Sequence, residues 1–185
     1  MAADKRVAVY LDGSNFYHIL RDPRVNLHDL LQYDYKGLAD WLARGRRIVS
    51  LRYYVGVVRA KPEDDKGQRM RSNQQRLFAR LKKQGWNVVL GHMMQYDNGG
   101  FHEKGVDVLI ALDIVEGAYQ EVYDTAILVS SDTDLLPAIA RAQEKGRSVE
   151  YVGSSYRPSF GMIKHANENR LLTKEELARF ASSTA

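Results

Sequence analysis

Five short apolar runs punctuate the chain: VAVYL (7–11), IVSLRYYVGVV (48–58), WNVVL (86–90), AILVS (126–130) and SVEYV (148–152). Rich in Val, Ile and Tyr, they predict β-strands, several of them buried on both faces. Between them, apolar positions recur with helical spacing over approximately 14–21, 35–44, 66–84, 106–119 and 134–145. Pro23 interrupts the first of these regions after Arg21, so residues 14–44 read as two helices with a linker. Strands separated by helices of this length imply crossover connections and a mainly parallel sheet covered on both faces. The fold class is α/β, a three-layer sandwich.

The remaining segments fill in the outline. Residues 59–67 form a loop, and 91–105, with Asp97, Asn98, Gly99 and Gly100, signal a turn or hairpin excursion that is a candidate flap. Thr173 and Glu176 have the spacing of a capping box for a last helix at about 174–180. No internal repeat, low-complexity tract or interdomain linker stands out. We therefore expect one domain over 1–185, with a core at about 5–153 and a C-terminal extension at 154–185.

Composition narrows the setting. With 185 residues, 44% of them hydrophobic, the chain is long enough for one domain with a substantial core. It has no cysteine, which excludes disulfides and thiolate metal ligands and fits a reducing compartment. The segment MAADKRVAVYLDG lacks a signal-peptide apolar core, and no apolar stretch approaches the roughly 20 residues of a membrane span. The expected location is the cytoplasm, away from the membrane.

The formal net charge of +4 hides an uneven distribution. Lys66, Arg69, Arg71, Arg76, Arg80, Lys82 and Lys83 follow one another with no acid between them. A helix carrying them offers a positive surface to a polyanion.

Acids gather where such a chain brings segments together. Asp12 follows the first strand within DGSN, Asp107 opens the apolar helix within KGVD, and Asp132 and Asp134 follow a later strand within SSDTD. An open parallel sheet delivers the residues after its strands to one edge, where the following helices begin. Each acid also has a local explanation, as a turn former, a helix cap or a partner of the helix dipole. Two carboxylates about 4 Å apart repel by roughly 4 kcal/mol at an effective dielectric of 20. Converging acids therefore need protons or cations, and hard oxygen ligands without cysteine point to magnesium or manganese. Carboxylates close enough to share a cation are the geometric expectation. Asp113, six residues after Asp107, points about 120° away round the helix and is a supporting or structural acid.

The ordered set DGSN, KGVDVLIALD and SSDTDLLPAI resembles the NYN branch of the PIN-like nucleases, and within it the LabA-like group, over approximately residues 5–153. The LabA-like pattern more often has S-G-D-S-D at the third motif, where this chain carries Ser131 and Thr133 and keeps both acids. The resemblance implies a PIN-like (Rossmann-like) architecture. It also implies that Asp12, Asp107, Asp132 and Asp134 are catalytic, metal-binding acids, with Asn15 and Thr133 as supporting polar residues. The implied activity is hydrolysis of RNA phosphodiester bonds by water activated on Mg2+ or Mn2+. Asp12, Asp107 and Asp132 are the expected principal ligands, and Asp134 acts through water.

Single-stranded RNA is the expected partner, with a homodimer left open. Arg59, Lys61, Lys66, Arg69, Arg71, Arg76 and Lys104 are the candidate phosphate contacts, those early in the basic helix being best placed. Tyr17, Tyr96 and Phe101 are candidate stacking residues, whereas Tyr53 and Tyr54 belong to a strand and are expected in the core. The competing reading is a catalytically weak RNA-binding or regulatory module that acts through partners. A phosphatase of the haloacid-dehalogenase type wants a second Asp where Ser14 stands. A dinucleotide-binding protein wants a G-x-G-x-x-G after the first strand, and none is present.

Overall fold

The computed structural model describes residues 5–181 except 59, 61 and 96–100, and leaves out the side chains of 92–95 and 101–104. Six strands form one sheet in the order β3-β2-β1-β6-β7-β8, every neighbouring pair parallel. They are β1 (Arg6–Asp12), β2 (Arg47–Val55), β3 (Asn87–Leu90), β6 (Thr125–Val129), β7 (Ser148–Ser154) and β8 (Glu168–Leu172). A separate antiparallel pair, β4 (His92–Gln95) and β5 (Phe101–Lys104), is the expected hairpin excursion.

Helices cover both faces because alternate side chains of the central strands face opposite ways. Val7, Val9 and Leu11 of β1 pack on one side with α1 (Gly13–Arg21), α2 (Tyr35–Ala43), α3 (Asp65–Lys83) and α7 (Lys174–Ala178). Ala8 and Tyr10 pack on the other with α4 (Val106–Tyr119), α5 (Leu136–Glu144) and α6 (Phe160–His165). The result is the three-layer α/β sandwich expected from the pattern.

Three boundaries differ from expectation, each for a local reason. The strand expected over 48–58 ends at Val55, because the Gln74 side chain takes over the backbone beyond it. Its amide donates to the Gly56 carbonyl at 2.7 Å, and its carbonyl oxygen accepts the Val58 N–H at 2.8 Å. The helix expected from 134 starts with a 3₁₀ turn over Thr133–Leu135 and becomes α-helical at Leu136, with Pro137 in its first turn. The segment after Ser154 adds α6 and β8. β8 is an edge strand whose outer residues are exposed, and it shows no long apolar run. The expected capping box is present, Thr173 and Glu176 bonding each other's backbone ahead of α7.

Among the described residues no helix is long and apolar enough to cross a membrane.

Candidate functional site

The sheet order reverses direction between β1 and β6. In open α/β sheets, the crevice beyond the strand ends at such a point is where ligands bind. Asp12 ends β1, and Ser130 to Asp132 follow β6, so two of the three acidic motifs meet there.

Asp12 is only 5% exposed. Its Oδ1 accepts the Asn15 N–H at 3.0 Å, capping α1, and its Oδ2 accepts the Ser130 hydroxyl at 3.0 Å. Gly13 follows because the chain passes against Tyr53: a Cβ there would lie 2.6 Å from the ring. Asn15 reaches across to the neighbouring strand end, its Oδ1 accepting the Ser131 N–H at 3.2 Å. Ser130 Oγ accepts the Asp132 N–H at 3.2 Å, and Asp132 Oδ1 accepts the Asp134 N–H at 2.9 Å to cap the 3₁₀ turn. Asp12 and Asp132 thus serve as helix caps and also face a shared crevice.

Asp107 arrives from the opposite layer. Gly105, at φ +87°, turns the chain from β5 into α4, and Asp107 occupies the first turn of that helix. The crevice is a cavity of about 300 Å³ lined by Asp12, Ser14, Asn15, His18, Val106, Asp107 and Asp132. Asp134 lines an adjoining groove, which shares Asp107 with the cavity.

Electrostatics bind the acids into one unit. Burial pushes the Asp12 carboxyl above its ordinary value; the Asn15 N–H and Ser130 hydroxyl offset part of this, and Asp132 adds to it. Burial likewise raises Asp107, and Asp132, Asp12 and Asp134 each push it further. Among the described residues no cationic side chain offsets either shift. This all-oxygen set suits a hard divalent cation in its donor chemistry. Among the described residues, however, no three carboxylates or imidazoles converge closely enough to make a ready cage. Asp12, Asp107 and Asp132 line one cavity, and a shared-cation arrangement is not preassembled among the described residues. Backbone N–H groups of neighbouring residues hold Asp12 and Asp132 as caps.

Other predicted residues lie elsewhere. Asp113 accepts the Tyr54 hydroxyl at 2.7 Å and pairs with Arg52 at 2.6 Å, anchoring α4 to β2 away from the cavity. Thr133 opens the 3₁₀ turn with its methyl toward Gly161. Lys66, Arg69 and Arg71 are exposed on the first turns of α3. Arg76 borders a separate depression with Arg80 and Lys83, which shares no residue with the acidic cavity. Arg59, Lys61 and Tyr96 fall outside the described residues, as do the side chains of Phe101 and Lys104. Tyr53 and Tyr54 are buried as expected, and Tyr17 is exposed on α1.

Two residues of the site escaped the sequence reading: Ser130, which bonds two of the acids, and His18, which lines the cavity. Ser130 is fully buried and links Asp12 to Asp132, but a serine closing an apolar run carries no spacing signal. His18 lies one turn along α1 from Ser14 and Asn15, a helical spacing from DGSN that would have flagged it.

Fold and site together define a parallel α/β domain with three acids lining one cavity at the switch point of the sheet. The NYN domain model matches residues 6–170, and the chain belongs to that family, whose members are generally nucleases. A crystal structure of a protein of unknown function from Vibrio parahaemolyticus RIMD 2210633 has the same fold. It superposes with a TM-score of 0.68 at 24% identity, over 91% of this chain and 93% of that one. An uncharacterized protein of Methanocaldococcus jannaschii is 39% identical over 61 residues, 31% of this chain and 25% of that protein. The chain thus spans about a quarter of that relative's length.

Proposed function

We propose that this NYN domain is a divalent-metal-dependent ribonuclease that hydrolyses single-stranded RNA in the cytoplasm, the whole of 1–185 acting as one domain. The observation that carries the reading is the arrival of Asp12, Asp107 and Asp132 from three chain segments at one polar cavity, with no compensating cation among the described residues. Mg2+ or Mn2+, when bound, would polarise the phosphoryl oxygen and lower the pKa of the attacking water. Asp12, Asp107 and Asp132 would hold the ion, and Asp134 would reach it through water.

The chain's own groups supply the rest. Ser130 and the Asn15 N–H keep Asp12 turned into the cavity, and the Asp134 N–H fixes one oxygen of Asp132. Lys66, Arg69 and Arg71 draw the phosphates of the strand, and Tyr17 offers an exposed ring for a base. LabA-like membership remains part of the proposal, on the three motifs alone.

A second reading is a weakly catalytic RNA-binding module, favoured by the lack of a preformed three-donor cage among the described residues. Cleavage of single-stranded RNA with Mg2+ or Mn2+, compared between wild type and Asp132→Asn, separates the two. Metal-stimulated cleavage that Asp132→Asn abolishes supports the nuclease. Equal cleavage by both proteins rejects the centre, and RNA binding without turnover selects the module.

A further inference from the structure

α4 is apolar nearly all the way round. Its inner face, with Val106, Ile110, Ile114 and Ala118, is buried against the sheet. Its outer face carries Val108, Leu112, Val115 and Tyr119, of which Val108 is 60% exposed, Leu112 59% and Tyr119 55%. A helix hydrophobic on every side is normally enclosed by protein, and a contiguous exposed apolar strip marks an interaction surface.

The spacing of the strip says what covers it. Positions 108, 112, 115 and 119 are separated by four, three and four residues, a sequence that reads the same in both directions. It is also the repeat of a two-helix seam. When two such helices pair antiparallel about an axis between Asp113 and Ile114, Val108 meets Tyr119 of the second copy and Leu112 meets Val115. A strip that is its own complement is what a two-fold interface requires.

Charge favours the same pairing. Asp107 and Asp134 flank the strip at one end of the α4–α5 groove, and Arg141 lines that groove further along. At the other end the Lys145 ammonium lies 4.1 Å over the Tyr119 ring. Antiparallel pairing sets the acidic end of each copy against the Lys145 end of the other. RNA is a poorer occupant, because a largely aliphatic surface offers little stacking.

We propose that the outer faces of α4 and α5 form the two-fold interface of a homodimer, in which Lys145 of each copy stands beside Asp107 of the other. The occupant is a second copy of this chain.

Sedimentation velocity on the RNA-free full chain tests this directly. The wild type is expected at twice the monomer mass at about 10 μM, and Leu112→Glu at the monomer mass, its self-association weakened on the order of 100-fold. Because Leu112 is exposed, that change leaves the fold intact. A mixture of Val108→Cys and Tyr119→Cys chains, with no native cysteine to interfere, is expected to cross-link with a short bismaleimide. Neither variant alone should do so. A monomeric wild type at about 100 μM, an unchanged Leu112→Glu dimer, or cross-linking of each variant alone would overturn the proposal. So would a monomeric wild type whose RNA binding is weakened by Leu112→Glu, which would assign the strip to nucleic acid. Asp132→Asn is expected to dimerise whether or not the protein cleaves RNA, so the interface and the nuclease reading fail separately.

Discussion

The Ser130 hydroxyl donates to Asp12 Oδ2 at 3.0 Å, tying the acid that ends β1 to the end of β6. Ser130→Ala leaves that buried oxygen without its donor and frees the Asp132 N–H. Removing a partner from a buried polar group costs about 1–3 kcal/mol, and loss of a supporting bond to a metal-binding acid costs roughly 10–100-fold in activity. Urea denaturation and single-turnover RNA cleavage check the two figures. Because Ser130 lowers the Asp12 carboxyl, the acidic limb of the cleavage profile is expected to move to higher pH in the variant.

Asp107 pulls stability and activity in opposite directions. Its carboxyl is raised by burial and by three neighbouring acids, so its charged form disfavours the folded state above its ordinary titration range. Asp107→Asn is expected to abolish cleavage and raise the melting temperature by about 2–4 °C at neutral pH. Thermal melts in metal-free buffer, made in the Leu112→Glu background where no second copy brings Lys145 to Asp107, test it, and a lower melting temperature would contradict the repulsion.

The start of α3 is expected to meet the RNA backbone. Replacing Lys66, Arg69 and Arg71 together by Ala removes three exposed cations. At about 0.7 per phosphate contact for single strands, the log–log salt dependence of binding should become shallower by roughly 2. Lys82→Ala with Lys83→Ala, at the far end of α3, should leave the slope unchanged. Fluorescence anisotropy across a salt series measures both.

At the opposite edge, Asp124 accepts the Arg6 N–H at 2.8 Å and pairs with the Arg6 guanidinium at 2.9 Å, and its carboxyl is held down to about 2. A lowered folded value means stability that is present above the ordinary carboxyl range and lost as pH falls toward 2. Asp124→Asn is expected to lose up to about 1 kcal/mol at pH 7, the size of a partly exposed pair. The difference from wild type should shrink between pH 4 and pH 2 in denaturation curves.

The central strands were legible because Val- and Ile-rich runs buried on both faces have few other uses, and Asp12, Asp107 and Asp132 because each follows a strand or opens a helix. β8 was not, since an edge strand reading ENRLL exposes its first two residues, buries only Leu172 and shows no apolar run. Ser130 was hidden for a different reason: its role comes from two hydrogen bonds made only after β1 and β6 pair. Motif spacing brought the acids to one crevice. The capping bonds that fix Asp12 and Asp132 within it are local geometry that no pattern of residues displays.

Asp113 lies about 9 Å below Asp107 along α4, six residues at 1.5 Å each, and is gripped by Arg52 and Tyr54 of β2. Among the described residues Asp107 itself has no such tether. The grip on Asp113 therefore acts as a depth stop: it sets how high α4 rides on the sheet, and so how far its first turn projects into the crevice. A residue outside the cavity thereby fixes the elevation of one of the cavity's charges.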